Sequence, residues 1–322
     1  MNSINHYREE FLAHLRTSVA VKEPRNLYEP IDYILQLGGK RLRPVLTLIA
    51  TDLFGGDYRK ALPAAAAVEV FHNFSLVHDD IMDNASLRRG KATVHQKWNS
   101  NIAILSGDAM LICAYRLLES YPPDTFAALA KLFSKTALEV CEGQQWDMDF
   151  ETQAQVSIPQ YLQMIRYKTA VLVGAALQMG AIIAGASIEN QRLIYDFGVT
   201  IGLAFQLQDD YLDAFGDEAF GKKIGGDILE NKKTILYLKA LDLADEAQRN
   251  TLIAQYTTSE ENDAKIAIVT QLFRQTGAAE AVRDEITRTT DEALNLLEHI
   301  TISDENRAYL KQFALELMNR KV

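Results

Sequence analysis

Apolar side chains recur at three- and four-residue intervals along almost all of this 322-residue chain, and the alternating runs that a β-strand needs are nearly absent. Such a chain can bury its apolar stripes only by packing helix on helix. The spacing predicts an all-α fold, a bundle of ten or more helices. They are expected at residues 61–83, 95–120, 124–150, 158–186, 190–216, 232–243, 246–257, 263–275, 278–299 and 303–320. A further helix opens near Pro44 and ends at Gly55-Gly56. No Ser/Gly-rich or Pro-rich linker divides the sequence, so residues 1–322 read as a single domain.

Residues 170–186 (AVLVGAALQMGAIIAGA) are apolar enough to suggest a membrane span, but they are short, rich in Ala and Gly, and flanked by amphipathic helices. A central buried helix is the expectation, with no membrane span. The net charge of −10 argues against a nucleic-acid partner, which needs a basic face. Cys113 and Cys141 lack metal-type spacing, and no signal-peptide pattern precedes MNSINHYREEF, which together fit the cytoplasm.

Inside this helical frame the chemistry gathers at two copies of one quintet, Asp79-Asp80-Ile81-Met82-Asp83 and Asp209-Asp210-Tyr211-Leu212-Asp213. On a helix the first and fifth residues share a face, about 6 Å apart along the axis, so two carboxylates stand side by side. Like charges so placed repel unless a cation neutralises them. Hard oxygen ligands suit Mg²⁺, which normally shares its shell with substrate phosphates and water. Asp80 is turned roughly 100° from Asp79, away from that face.

A diphosphate also needs fixed cations. Gly38-Gly39-Lys40-Arg41-Leu42-Arg43-Pro44 supplies one cluster, with glycines that let the backbone approach a phosphate. Arg88-Arg89-Gly90 follows the first quintet, Lys168-Thr169 precedes the apolar helix, and Lys222-Lys223 and Lys232-Lys233 follow the second quintet. The stretch 216–223 nearly fits a P-loop, but Lys223 stands where a Ser or Thr should bind magnesium and no strand precedes it. It reads better as a lysine-bearing lid. Neither a nucleophile elbow nor a zinc-type histidine pair is present.

The motifs GGKRLRP (38–44), HNFSLVHDDIMDNASLRRGKATVH (72–95), GQQWD (143–147), KTA (168–170), FQLQDDYLDAFGD (205–217), KKIGGD (222–227) and NKKT (231–234) stand in an order that resembles the trans-isoprenyl diphosphate synthases of the polyprenyl synthetase family. The resemblance spans essentially the full chain. It implies the isoprenoid synthase fold, in which the helices surround a central cavity, and a homodimer. It implies three magnesium ions held by Asp79, Asp83 and Asp209, within a wider set that takes in Asp80, Asp210 and Asp213. Arg88, Lys168 and Lys223 would contact the allylic diphosphate, with Lys232 closing over it. Lys40, Arg43 and Arg89 would hold isopentenyl diphosphate, with His72 where the family has His or Gln. Thr169 and Gln206 would lie beside the reacting carbons, and Phe205 with the substrate-binding residues.

The implied reaction joins isopentenyl diphosphate head-to-tail to an allylic diphosphate, with no protein nucleophile. Product length should depend on residues one to two turns before the first quintet: Phe71, Phe74 and Ser75, where a large ring followed by a small side chain resembles members making twenty-carbon or fifteen-carbon products. Two other readings share the helical fold. A terpene cyclase would usually carry one aspartate motif and lack a second diphosphate pocket, and a non-catalytic subunit of a heteromeric synthase would have lost motif residues.

Overall fold

The computed structural model describes residues 1–216, 224–258 and 262–318, and they are helical almost throughout. In chain order come α1 (Ile4–Ser18), α2 (Arg25–Gln36), α3 (Leu42–Leu53), a 3₁₀ turn (Tyr58–Ala61) and α4 (Leu62–Met82). A hairpin of β1 (Leu87–Arg88) and β2 (Lys91–Ala92) precedes α5 (Val94–Lys97), α6 (Ser100–Leu118) and α7 (Pro123–Thr152). α8 (Ile158–Ile165) passes through a π-helical turn (Arg166–Ala170) into α9 (Val171–Ile183), and α10 (Ile188–Phe215) follows. The chain ends with α11 (Gly226–Leu229), α12 (Ile235–Leu243), α13 (Glu246–Gln255), α14 (Asp263–Gln275), α15 (Ala278–His299) and α16 (Asp304–Met318).

The all-α expectation holds, with two departures that matter below. The helix expected over 158–186 is interrupted by the π turn. Residues 87–92 form a hairpin whose two-residue loop, Arg89-Gly90, has positive φ at both positions (53° and 73°), the geometry that matches the twist of paired strands.

The chain forms two compact units, Met1–Lys135 with Ala175–Arg192, and Thr136–Gly174 with Leu193–Val322. In the first, α4 is the central element and packs most extensively on α6 and α3. Ala64, Ala65, Ala66 and Ala67 are all fully buried, because methyl side chains let neighbouring helices approach from every side. In the second, α8, α10, α12, α14 and α15 share a core that includes Ile165, Leu207, Ile235, Phe273 and Val282. Residues 170–177 of the apolar segment are all buried, and at Gly174 the side chain of Val199 and the backbone of Tyr195 approach too closely for a Cβ. Among the described residues α6 is the one helix long and apolar enough to cross a membrane, by length and composition alone.

Candidate active site

In the first unit the quintet closes α4. Asp79 lies in the last turn and Asp83 is the C-cap, its N–H donating to the Asp79 carbonyl at 2.8 Å. Acids at a helix C-terminus face the negative end of the macrodipole, so both repulsion and dipole call for a cation here. Asp79 is half-buried and Asp83 exposed. Asp80 is 1% exposed, and its Oδ1 accepts from Arg88 Nε at 2.9 Å and Nη2 at 2.5 Å. Burial raises the Asp80 pKa and the Arg88 bond opposes that rise.

Two loops far apart in sequence meet beside this helix. Arg89 Nη1 donates to the Gly38 carbonyl, and a Cβ on Gly39 would stand 2.8 Å from Arg89 Cζ. The absence of a side chain at Gly39 is what lets the guanidinium lie on the backbone. Arg43 Nη1 lies 3.3 Å from His72 Nε2, and Arg43 Nε is buried without a hydrogen-bond partner. Burial, then Arg43, Arg89, Arg41 and Arg88, hold His72 well below its ordinary pKa, so it stays neutral and can accept. Lys40 is exposed on the same loop. Arg43, His72 and Arg89 thus gather around one corner in which, among the described residues, cations outnumber the single nearby acid, Glu69, and which is suited to an anion.

The candidate chain-length residues part company. Ser75 is half-buried, its hydroxyl donating to the His72 carbonyl at 2.9 Å. Phe71 is fully buried and Phe74 8% exposed, in a run of rings from His78 through Phe74 (4.8 Å), Phe71 (5.5 Å) and Phe133 (5.2 Å) to Tyr115 (4.8 Å).

In the second unit α10 carries the other quintet near its C-terminal end. Asp209 is half-buried, while Asp210 and Asp213 are 5% and 8% exposed. Both oxygens of Asp210 are engaged: Tyr161 OH donates to Oδ2, and Gln206 Nε2 to Oδ1 at 3.1 Å. Thr169 Oγ1 then donates to Gln206 Oε1 at 3.4 Å, which fixes the amide of Gln206. Burial pushes the Asp210 pKa up to about 7, against the bond from Tyr161. Asp213 Oδ2 accepts from the Asp227 N–H at 3.0 Å. Phe205 is half-buried on the same helix.

The π turn presents Lys168 and Thr169. Such turns carry one extra residue per loop of helix and recur at functional sites. Gly143 of α7 makes room for it, since a Cβ there would fall on the Lys168 backbone nitrogen. Four residues along α7, Asp147 Oδ2 takes Lys168 Nζ at 2.5 Å, and Trp146 stacks on Tyr167. The paired lysines after α11 have different partners. Lys232 lies 2.7 Å from Glu230 and 3.6 Å from Asp227. Lys233 donates to the carbonyls of Phe150, Glu151 and Gln153, capping the end of α7. Lys223 lies outside the described residues.

Sequence reasoning missed Glu69, Asp147, Tyr161 and Asp227. Three of them had a visible signal: Glu69 is an acid inside the apolar run AAAAVEVF, and Asp147 and Asp227 close the motifs GQQWD and KKIGGD without having been given a role. Another marker points to the same places. All four non-glycine residues with positive φ among the described residues, Arg41, Asn84, Arg89 and Asn231, lie in the motifs. That conformation costs free energy and concentrates where function requires it.

Among the described residues no three His, Cys, Asp or Glu side chains close around one point. Asp79 and Asp83, four positions apart at the end of α4, are hard oxygen donors of the kind that suits magnesium held by one or two carboxylates, with substrate oxygens and water completing the shell.

A family model described as polyprenyl synthetase matches residues 24–273. A short-chain isoprenyl diphosphate synthase of Methanothermobacter thermautotrophicus is 36% identical over 321 residues, 98% of either chain. A solved geranylgeranyl pyrophosphate synthase matches at TM-score 0.96 and 54% identity over 100% of both chains. A geranylgeranyl pyrophosphate synthase from Corynebacterium glutamicum, solved with isoprenyl diphosphate and magnesium, matches at TM-score 0.86 and 29% identity over 98% of each.

Proposed function

This chain belongs to the polyprenyl synthetase family and is a short-chain trans-prenyltransferase, and we propose the following division of work among its residues. Asp79, Asp83 and Asp209 are the principal magnesium ligands, and Asp213 joins them. Asp80 and Asp210 act from behind, through Arg88 and through Gln206. Arg88, Lys168, Lys223 and Lys232 neutralise the allylic diphosphate, while Lys40, Arg43, Arg89 and neutral His72 hold isopentenyl diphosphate without metal.

Three magnesium ions, when bound, would supply the charge that makes the allylic diphosphate a leaving group. The allylic C–O bond breaks, and the double bond of isopentenyl diphosphate forms the new C–C bond. A proton leaves the adjacent carbon and passes to the departing diphosphate. Thr169 and Gln206 lie beside the reacting carbons, held by the Asp210–Tyr161 bonds, and Phe205 contributes to the surrounding wall. The apolar helices exclude water from the cation.

The observation that carries this reading is the coexistence of an acidic quintet with a separate cation corner, where Arg43 stands 3.3 Å from a His72 kept neutral by burial and by the surrounding arginines. That pairing suits an enzyme handling two diphosphates, and favours elongation over a terpene cyclase or a subunit stripped of its motifs. We assign a twenty-carbon product, with the fifteen-carbon one as the alternative. We also propose that residues 1–322 act as one domain in the cytoplasm and as a homodimer. Ile104, Leu105 and Ile112 (43%, 59% and 59% exposed) share one face of α6 and support dimerisation. The test is a magnesium-dependent assay with labelled isopentenyl diphosphate and dimethylallyl, geranyl and farnesyl diphosphates, with products identified by mass spectrometry. No elongated product from any of the three would overturn it.

A further inference from the structure

Arg41 sits inside the cation corner yet cannot serve it directly. Its side chain is 2% exposed, as is that of Glu69, to which Arg41 Nη1 donates. Arg41 Nη2 donates to the Leu35 carbonyl near the end of α2. Asn73 Nδ2, one turn along α4, holds the same Glu69 Oε1 at 2.9 Å and the Glu69 carbonyl at 2.8 Å. Arg41 is also the N-cap of α3 and has φ of 52°, a conformation that side chains rarely adopt unless their surroundings impose it.

Lys40 precedes this strained residue and Arg43 follows it by two positions. Whatever fixes the Arg41 backbone therefore sets the direction of both. The same carboxylate has an electrostatic role. Burial works against the charge of Arg43 and Arg89, and Glu69 is the acid that offsets it for both.

We infer that Glu69 is a positioning residue for the isopentenyl diphosphate pocket: through Arg41 it fixes the left-handed turn from which Lys40 and Arg43 reach the ligand. Glu69 touches neither substrate. The inference rests on the assignment of Lys40, Arg43 and Arg89 to isopentenyl diphosphate, and the experiment separates the two.

Glu69→Gln keeps the shape of the side chain and removes its charge. The KM for isopentenyl diphosphate is expected to rise about tenfold, the size of a lost charge-assisted hydrogen bond, while the KM for the allylic substrate stays within about twofold. Isopentenyl diphosphate binding measured calorimetrically in EDTA, where no turnover occurs, should weaken by the same factor. Arg41→Lys, which retains the buried cation but cannot reach both Glu69 and the Leu35 carbonyl, should give the same split and serves if Glu69→Gln does not fold. Lys40→Ala and Arg43→Ala are the controls. If they leave isopentenyl diphosphate binding unchanged, the pocket assignment itself falls. If they weaken it while folded Glu69→Gln or Arg41→Lys binds like the parent, or loses affinity for both substrates alike, Glu69 does not position the pocket.

Discussion

The two aspartate quintets share a spacing and a place near the C-terminal end of a long helix, but their inner acids are tied off by different chemistry. Asp80 accepts two bonds from the guanidinium of Arg88, a residue of the hairpin that also bears Arg89. Asp210 accepts from a phenol and an amide, Tyr161 and Gln206, and the amide carries the connection on to Thr169. One quintet is thus wired to charge and the other to neutral dipoles. A repeated motif fixes where the outer carboxylates stand, and leaves the inner one to be adapted to its own surroundings.

The comparison breaks first if inner and outer acids prove equivalent. Asp79→Ala and Asp209→Ala should each lower kcat/KM by about a thousandfold or more, the loss of several kcal/mol of metal-centred stabilisation. Asp80→Asn and Asp210→Asn should cost only about 10- to 100-fold, as removal of a supporting partner does. Steady-state kinetics with saturating magnesium decide the matter, and equal losses at positions 79 and 80 would erase the distinction.

A sharper cut separates the two ties. Tyr161→Phe should reproduce most of the Asp210→Asn defect, chiefly in kcat, because it loosens the Gln206 amide. Arg88→Lys should instead raise the KM for the allylic diphosphate. Double-mutant cycles within each pair measure the coupling.

Stability should show the difference in the absence of metal. Asp210 is raised to about 7 from an ordinary value of 3.8, so between those values the native state holds a proton that the unfolded chain has released. Its contribution is therefore lost as pH rises from about 4 to about 7, and is flat above. Thermal melts in EDTA should fall across that window, and Asp210→Asn should flatten the slope.

The smallest effect concerns product length. Phe74→Ala should shift products towards longer chains with little change in rate, read by chromatography of the prenyl alcohols. Unchanged lengths would leave Phe74 as core packing against Phe71 and His78.

Much of this was legible beforehand, and what was not has identifiable causes. The helices α4 and α10 and the acids on them follow from local spacing alone. The π turn escapes such reading because Arg166 to Thr169 are mostly polar and half-buried, so they carry no apolar period that one inserted residue could shift. β1 and β2, of two residues each, are too short to show alternation. Tyr161 and Asp210 lie 49 positions apart, and nothing local announces their bond. Lys232 and Lys233 look interchangeable as letters, yet one meets acids and the other caps a helix, since neighbouring side chains leave the backbone in different directions.

The guanidinium of Arg89 resting on Gly39 ties what position 39 can become to a residue fifty positions away. A side chain gained at 39 would push Arg89 off the Gly38 carbonyl and would also strain a backbone held at φ of 118°, so shrinking residue 89 alone would not free position 39. Related sequences that keep arginine at 89 should therefore keep glycine at 39, and a library randomising codon 39 alone should return glycine among its active clones.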